Sequence, residues 1–600
     1  PPFSRHDCGV DSPAADVGFE EFEEREIMGE KMNIDRRSFI TGLGATGLLA
    51  AAGSMVGCAP KAPGTTDTKS KDAAAASWRD KPAAITDIAQ TVDVDIVVVG
   101  AGNGGMVAAC TAIEAGAKVV VIEKGGAPAA AREAIGAIGS KYQKDFPVDV
   151  AKFIQVADTS QSSNIDARLY RTWAEKSGEM MDWMSAILES KGVITALESA
   201  APAPELSAHA YYPPICHNTF AEGYNPDGPN YGMYAHVLTL AEYFEEKGGK
   251  VYFTTPGKQL IQDEGGKVIG IVAESKEGNI QFNATKGVIL CTGGYAANKE
   301  MLEELSPLNV RYCVLSDATT EEGDGIKMAL WAGGCLEPSG TCMIWNRGLM
   351  NDDTAFGAPY SGTMFLPGSQ PFLHVNKLGE RFSNEDKPYP MGFAAGVQQP
   401  GHFSWSVWDA SYWEDMQQFQ TTGCSRMVPA PSGTAANADV YDCEAFSKEH
   451  VDSFWFGPNL ESGALKKCAT LEELAAAMGL DAAATKTFLA TVERYNAQVA
   501  QGKDEDFGKE AYRLSALDQP PYYAARMAGN LLVTINGIMT TTDSQAITEA
   551  GDPIDGLYVC GNDQGGFYPN NYPSQFIGLN CGRVSTFARI AAKHALGVVA

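Results

Sequence analysis

Apolar residues in this chain gather in short continuous runs that end in glycine. Ile96–Val99 is an unbroken β-branched run leading into Gly100, the pattern of a parallel strand buried on both faces. A helical stretch to Ala115 follows, and then a second strand, Val119–Ile122, which stops at Glu123. The pattern returns twice. In "KGVILCTGGYAANKEML" (286–302) a strand runs into Thr292-Gly293-Gly294, and in "PIDGLYVCGND" (553–563) another runs into Gly561-Asn562. Strands, glycine turns and a helix in this order predict an α/β fold of Rossmann type.

The front of the chain reads differently. "MNIDRRSFITGLGATGLLAAAGSMVGCAP" begins at Met32, with Arg36 and Arg37 ahead of Phe39 and Ile40. The Ala/Gly-rich run from Gly42 to Gly57 is too short and too weakly apolar for a good membrane-spanning helix. The stretch resembles a twin-arginine export signal, and "MVGC" (55–58) resembles a lipobox with Met55 in place of the usual leucine. The implied location is across the cytoplasmic membrane, with Cys58 as a lipid anchor on its outer face. Residues 1–31 are expected to be an upstream extension, with the start at Met28 or Met32, and 59–91 a flexible tether rich in Ala, Lys, Thr, Ser and Asp.

The 600 residues allow two or three domains, and 44% hydrophobic with 20% charged residues is an ordinary globular composition. A net charge of −28 argues against nucleic acid as a partner, since phosphates need basic patches. The 13 cysteines contain no C-x-x-C pair, which removes the usual signals for zinc ribbons, c-type haem and clustered iron–sulfur ligation. No metal site is expected.

Gly100, Gly102 and Gly105 complete G-x-G-x-x-G between a strand and a helix. The first glycine permits the tight turn, the second lets the backbone approach a pyrophosphate, and the third allows close helix–strand packing. Glu123 is spaced to accept hydrogen bonds from ribose hydroxyls. Between FAD and NAD, the two later strand–glycine segments favour FAD, because both resemble segments of two-dinucleotide-binding flavoproteins. The candidate cofactor residues are Gly100, Gly102, Asn103, Gly104, Gly105, Glu123, Lys124 and Gly126, then Thr292, Gly293, Gly294 and Asp324, then Gly561, Asn562, Ile577 and Gly578.

"HVNKLGERFSNEDKPYPMG" (374–392) contains VN-x-x-G-x-RF-x-NE, which resembles a signature of the fumarate reductase/3-ketosteroid dehydrogenase flavoprotein superfamily. The resemblance implies an FAD domain in two parts, 92–345 and 520–600, with an α+β capping domain, 346–519, inserted over the flavin. It also implies an active site between them. The positions matching the fumarate reductases' proton-donor arginine, a carboxylate histidine and a carboxylate arginine hold Tyr389, Thr534 and Tyr572. The departures fit the ketosteroid dehydrogenase branch better. There a Tyr-Pro nine residues after Gly-Asn supplies a phenol to the substrate ketone, here Tyr572-Pro573, although Ser574-Gln575-Phe576 replaces that branch's glycine-rich stretch.

The catalytic candidates implied are Tyr572, Tyr389 and Tyr212, the last from "AHAYYPPICHNTF" (208–220); His217 in the same stretch reads as a satisfied polar residue. The implied chemistry exchanges a hydride between flavin N5 and a C=C conjugated to a carbonyl. The expected direction is reduction of an enone or acrylate, fed by a cytochrome or a membrane quinol oxidase. A ketosteroid dehydrogenase-like desaturase, and an electron relay or ligand-binding lipoprotein without turnover, stay open.

Overall fold

The computed structural model describes residues 77–129, 134–198, 213–221, 235–314, 320–351, 353–357, 365–429, 440 and 444–598. The signal-like segment with Arg36, Arg37 and Cys58, and the candidate Tyr212, lie outside the described residues.

Four parallel strands form the centre of the main sheet, in the order Pro553–Val559, Gly278–Leu290, Ile88–Val99, Val119–Ile122, with Lys250–Tyr252 continuing it at one edge and Gln545–Ile547 antiparallel at the other. Leu290 pairs with both Val99 and Val559, and Val99 with Ile122, so these strands end at one level. The residues just past each strand end, Gly100, Glu123, Cys291 and Cys560, emerge along a single edge, where open α/β sheets bind their ligands.

Two helices close the face behind this edge. The C-terminal helix Leu579–Ala595 lies against Asn103–Glu114, with the Asn103 amide donating to Cys581 O and the Ser585 hydroxyl donating to Asn103 Oδ1. Gly104 sits where they cross; a Cβ there would stand 2.9 Å from Val584. A small antiparallel sheet, Ala134–Gly136, Cys216–Phe220 and Ile194–Leu197, adjoins the start of the C-terminal helix through Gly136 N donating to Gly578 O.

The packed domain starts earlier than the tether expected over 59–91. Trp78 is buried in the main core, its indole N–H donates to Glu304 at 2.6 Å, and the first strand opens at Ile88. Polar composition hid one large aromatic anchor. A second sheet runs across both expected cap boundaries. The 13-residue strand Tyr522–Thr534, which the boundary at 519/520 assigns to the FAD domain, is the spine of that sheet. It pairs with Cys313–Val314, Cys342–Leu349, Ser404–Trp408 and Leu465–Cys468. The boundary at 346 falls inside one of those partners.

The RF-x-NE signature braces this cap. Arg381 meets both Glu385 oxygens at 2.8 Å and the Asp504 oxygens at 2.9 and 2.8 Å, and Lys509 stands 3.3 Å from Glu385. All four side chains are at most 5% exposed. Burial alone would raise the Glu385 carboxyl, but Lys509 and Arg381 outweigh it and hold it at about 2, against an ordinary 4.5. A depressed carboxylate stabilises the fold fully above its unfolded value and loses that contribution as pH falls through its folded value. At roughly 1.4 kcal/mol per pKa unit, the contribution is about 3 kcal/mol. Glu385→Gln should therefore cost about that much at pH 7 and distinctly less at pH 3. Equilibrium denaturation of the FAD-loaded protein at both values checks this; an equal loss at both would show that the charge is not what stabilises.

Candidate active site

The first glycine turn has the form a dinucleotide requires. Gly100 has φ +101°, and a Cβ on it would stand 2.3 Å from Cys291 O. On Gly105 it would stand 1.8 Å from Gly100 O, so both glycines are demanded by the chain's own packing. Gly102 differs. It caps the helix Asn103–Glu114 in an extended conformation, and among the described residues a Cβ there would meet only Ala129 Cβ, at 3.7 Å. Nothing in the described protein requires glycine at 102, whereas a pyrophosphate lying on the helix N-terminus would. The Glu123 carboxylate accepts Ala101 N–H at 2.7 Å and Gly125 N–H at 2.6 Å. Each oxygen keeps a further lone pair for a ribose hydroxyl. A Cβ on Gly126 would meet nothing within 4 Å among the described residues.

Asp563, not among the residues singled out by motif, ties the two later turns together. Its carboxylate accepts the Thr292 N–H, the Thr292 hydroxyl at 3.0 Å and the Gly294 N–H at 3.2 Å. It is fully buried, and burial pushes it up to about 6. The signal was available: an acid directly after Gly561-Asn562, at the end of a buried strand. Gly293 and Gly294 both have positive φ, and a Cβ on Gly294 would stand 2.5 Å from the Thr534 hydroxyl. Glu321 faces the same turn. Its Oε2 is buried with no hydrogen-bond partner among the described residues, and burial, then the charge of Asp563, pushes it up to about 8.

Several candidate cofactor residues are engaged within the protein. Asn103 joins the two packed helices. Lys124 is paired with Asp324 at 2.8 Å and with Glu322 at 3.3 Å. Gly578, at φ +77°, is where the C-terminal helix meets the small sheet; a Cβ there would stand 2.8 Å from Gly136 N. Ile577 lies under the turn at Gly423, whose added Cβ would stand 2.4 Å from it. Asn562 accepts from the Asn580 amide at 2.9 Å and Gly561 O from Arg583 at 2.8 Å, which sets the start of the 17-residue helix beside the Gly561-Asn562 turn.

A cleft runs between the cap and the C-terminal segment, lined by Ser369, Lys387, Tyr389, Thr421 and Arg513 on one side and Ser574 and Ile577 on the other. Tyr389 opens the helix Tyr389–Val397, its N–H donating to the Ser574 hydroxyl at 3.0 Å. Its phenol bonds the Ser425 hydroxyl and receives Arg347 Nη2 at 3.0 Å. The turn carrying Ser425 is stitched to the FAD-domain side by a buried pair: Glu198 accepts Arg426 Nε at 2.6 Å and Gly423 N–H at 2.9 Å. Arg347, Ser425, Glu198 and Arg426 were all missed from sequence.

Tyr572 is not among the cleft-lining residues. It is 7% exposed in an aromatic cluster, 5.4 Å from the Tyr568 ring, and its oxygen accepts the Asn580 N–H at 3.3 Å. That is packing and helix capping. Thr534 is fully buried, its hydroxyl accepting Tyr295 N–H at 2.9 Å. His217 is satisfied, as expected: Nε2 lies 2.7 Å from the Ser140 hydroxyl and Nδ1 2.9 Å from Ile215 O, and burial lowers the ring to about 4.

Known proteins resemble this chain along most of its length. The vinyl phenol reductase of Lactiplantibacillus plantarum is 26% identical over 514 residues, covering 84% of this chain and 96% of that protein. The fumarate reductase (cytochrome) of Shewanella frigidimarina is 26% identical over 514 residues, covering 84% of this chain and 77% of that protein. Among solved structures, the 3-ketosteroid-Δ4-(5α)-dehydrogenase of Rhodococcus jostii with bound 4-androstene-3,17-dione superposes with a TM-score of 0.62 at 22% identity, covering 85% of this chain and 98% of that one, a likeness of fold. A family model described as an FAD binding domain matches residues 95–575. With that match and with glycine turns shaped for a dinucleotide, the protein belongs to the FAD binding domain family and is an FAD-dependent oxidoreductase.

Proposed function

We propose that the protein reduces a C=C bond conjugated to a carbonyl in a neutral or singly charged molecule, drawing electrons from an external donor such as a cytochrome or a quinol oxidase. The observation that carries this is Tyr389, whose ring edges a cleft where the cap meets Ser574 and Ile577. The two reductases similar to this chain act, by their names, on a vinyl phenol and on fumarate. Bound FAD supplies the hydride. The protein's share is to hold the carbonyl, exclude water and deliver a proton to the α-carbon. A phenol suits the last task, being protonated at neutral pH and able to donate while uncharged.

A dicarboxylate substrate is disfavoured by the same cleft. Binding two carboxylates takes several charge-assisted bonds. Arg513 is held by the Thr421 hydroxyl at 2.8 Å and by Asp386 at 3.6 Å, and Thr534 is spent on Tyr295. Lys387 is half-buried, and burial lowers its ammonium from the ordinary value. The role of Tyr572 as a donor to the carbonyl rests on the family resemblance alone.

The test is reoxidation of a reduced dye by the FAD-loaded protein with fumarate, urocanate, a cinnamate and a Δ4-3-ketosteroid side by side. We expect turnover with a neutral or singly charged substrate, and little with fumarate. Efficient fumarate reduction with no response to the others would overturn the reading. Dye reduction driven by a saturated ketone would mark a desaturase instead, and flavin redox activity without any turnover an electron relay.

A further inference from the structure

We propose that Arg347, with Ser425, is the positioning residue that aims the Tyr389 phenol and steadies it once its proton has gone. The inference rests on the reading of Tyr389 as the proton carrier. Arg347 lies on the cap strand Cys342–Leu349 and is fully buried. Its Nη2 donates to the Tyr389 oxygen at 3.0 Å and to the Ser425 hydroxyl at 2.6 Å, and its Nε to the Ser369 hydroxyl at 2.5 Å. The guanidinium carbon stands 4.8 Å from the centre of the Tyr389 ring. One planar cation thus touches the phenol's oxygen, its ring and its second partner.

A guanidinium donates and never accepts. It therefore bonds the Tyr389 oxygen both before and after proton transfer, and cannot take the proton itself. Ser425 can donate or accept, so it too can bond the phenol oxygen before and after the transfer. Bound FAD, once reduced, would supply hydride to the β-carbon, and the C=C electron pair would then move to the α-carbon and its carbonyl. The Tyr389 O–H bond then breaks, its proton forms the C–H bond at the α-carbon, and the phenol oxygen keeps the electron pair against Arg347 and Ser425. Solvent reprotonates it across the cleft that Tyr389 lines, once product has left. The two electrons the substrate would gain are those that bound FAD would supply and the external donor would restore. The other charged groups at this cleft are Glu385, Asp386, Lys387 and Arg513. Glu385 is braced by Arg381 and Lys509, and Asp386 lies near Arg513.

A double-mutant cycle on the full-length, FAD-loaded protein tests this, with cinnamate and the Δ4-3-ketosteroid as probes. Arg347→Met should lower kcat by about tenfold or more with KM nearly unchanged and FAD content equal, while in the Tyr389→Phe background the same change should cost less than about twofold. Arg347→Lys keeps a donor and should recover part of the loss. Ser425→Ala should be coupled to Tyr389 in the same way, and it stands in if Arg347→Met does not fold. Equal costs in both backgrounds, or an effect on KM alone, would make Arg347 merely structural and overturn the proposal. Full turnover by Tyr389→Phe would instead overturn the reading beneath it, as would no turnover of either probe by the wild type, and the proposal would fall with it.

Discussion

Gly102→Val should strip FAD from the purified protein and leave it folded and colourless. The contrast with Gly105 makes this a test of the cofactor site. A Cβ on Gly105 would stand 1.8 Å from a backbone oxygen, so even Gly105→Ala should damage the fold itself. Among the described residues a Cβ at Gly102 meets only another methyl, at an ordinary 3.7 Å, and the backbone there is extended. The described protein leaves room for a Cβ at that point, where a bound pyrophosphate would not. We expect FAD affinity to fall by on the order of a hundredfold or more, about 3 kcal/mol, with the circular dichroism and melting of the apoprotein kept. Absorbance at the flavin bands and titration of apoprotein with FAD measure it. Unchanged flavin content in Gly102→Val would remove the helix N-terminus Asn103–Glu114 from the cofactor site.

The cofactor edge was legible because its parts are local. A β-branched run, a glycine turn and an acid at the next strand end each obey a short-range rule, and parallel register then brings Gly100, Glu123, Thr292 and Gly561 together. Residues that act across the chain were not legible. Arg347 and Ser425 reach Tyr389 from 42 and 36 positions away, and no spacing rule links a strand, a turn and a helix start in the cap. A single arginine inside the run "CMIWNRGL" was the available hint, since a buried cation needs a partner. Tyr572 is the opposite case. Motif position put it at the substrate, yet the aromatic residues around it, Tyr568 and Phe576 among them, make a core that takes the ring in. The cap boundaries had no composition break to rest on at this point, since one continuous strand runs from Tyr522 to Thr534.

Tyr389→Phe should lower turnover by on the order of a hundredfold while FAD stays bound. General acids of this kind contribute roughly 10²–10⁴-fold, and water admitted by an imperfect cleft replaces part of the loss. The ring keeps its place on the helix start, because the N–H bond to Ser574 and the packing against the Tyr572 cluster do not involve the hydroxyl. Removing the hydroxyl takes one partner from Arg347, which keeps Ser369 and Ser425. The stability cost is therefore that of one charge-assisted bond, about 1.5–3 kcal/mol, too little to empty the flavin site. Tyr572→Phe makes the comparison informative. Its hydroxyl accepts a helix N–H inside the core, so its loss should show as about 1 kcal/mol of stability and little in turnover. Activity per bound flavin, measured for both variants beside thermal unfolding, separates the two tyrosines. A hundredfold loss at Tyr572 with none at Tyr389 would reverse their roles and return the carbonyl donor to the position the motif first indicated.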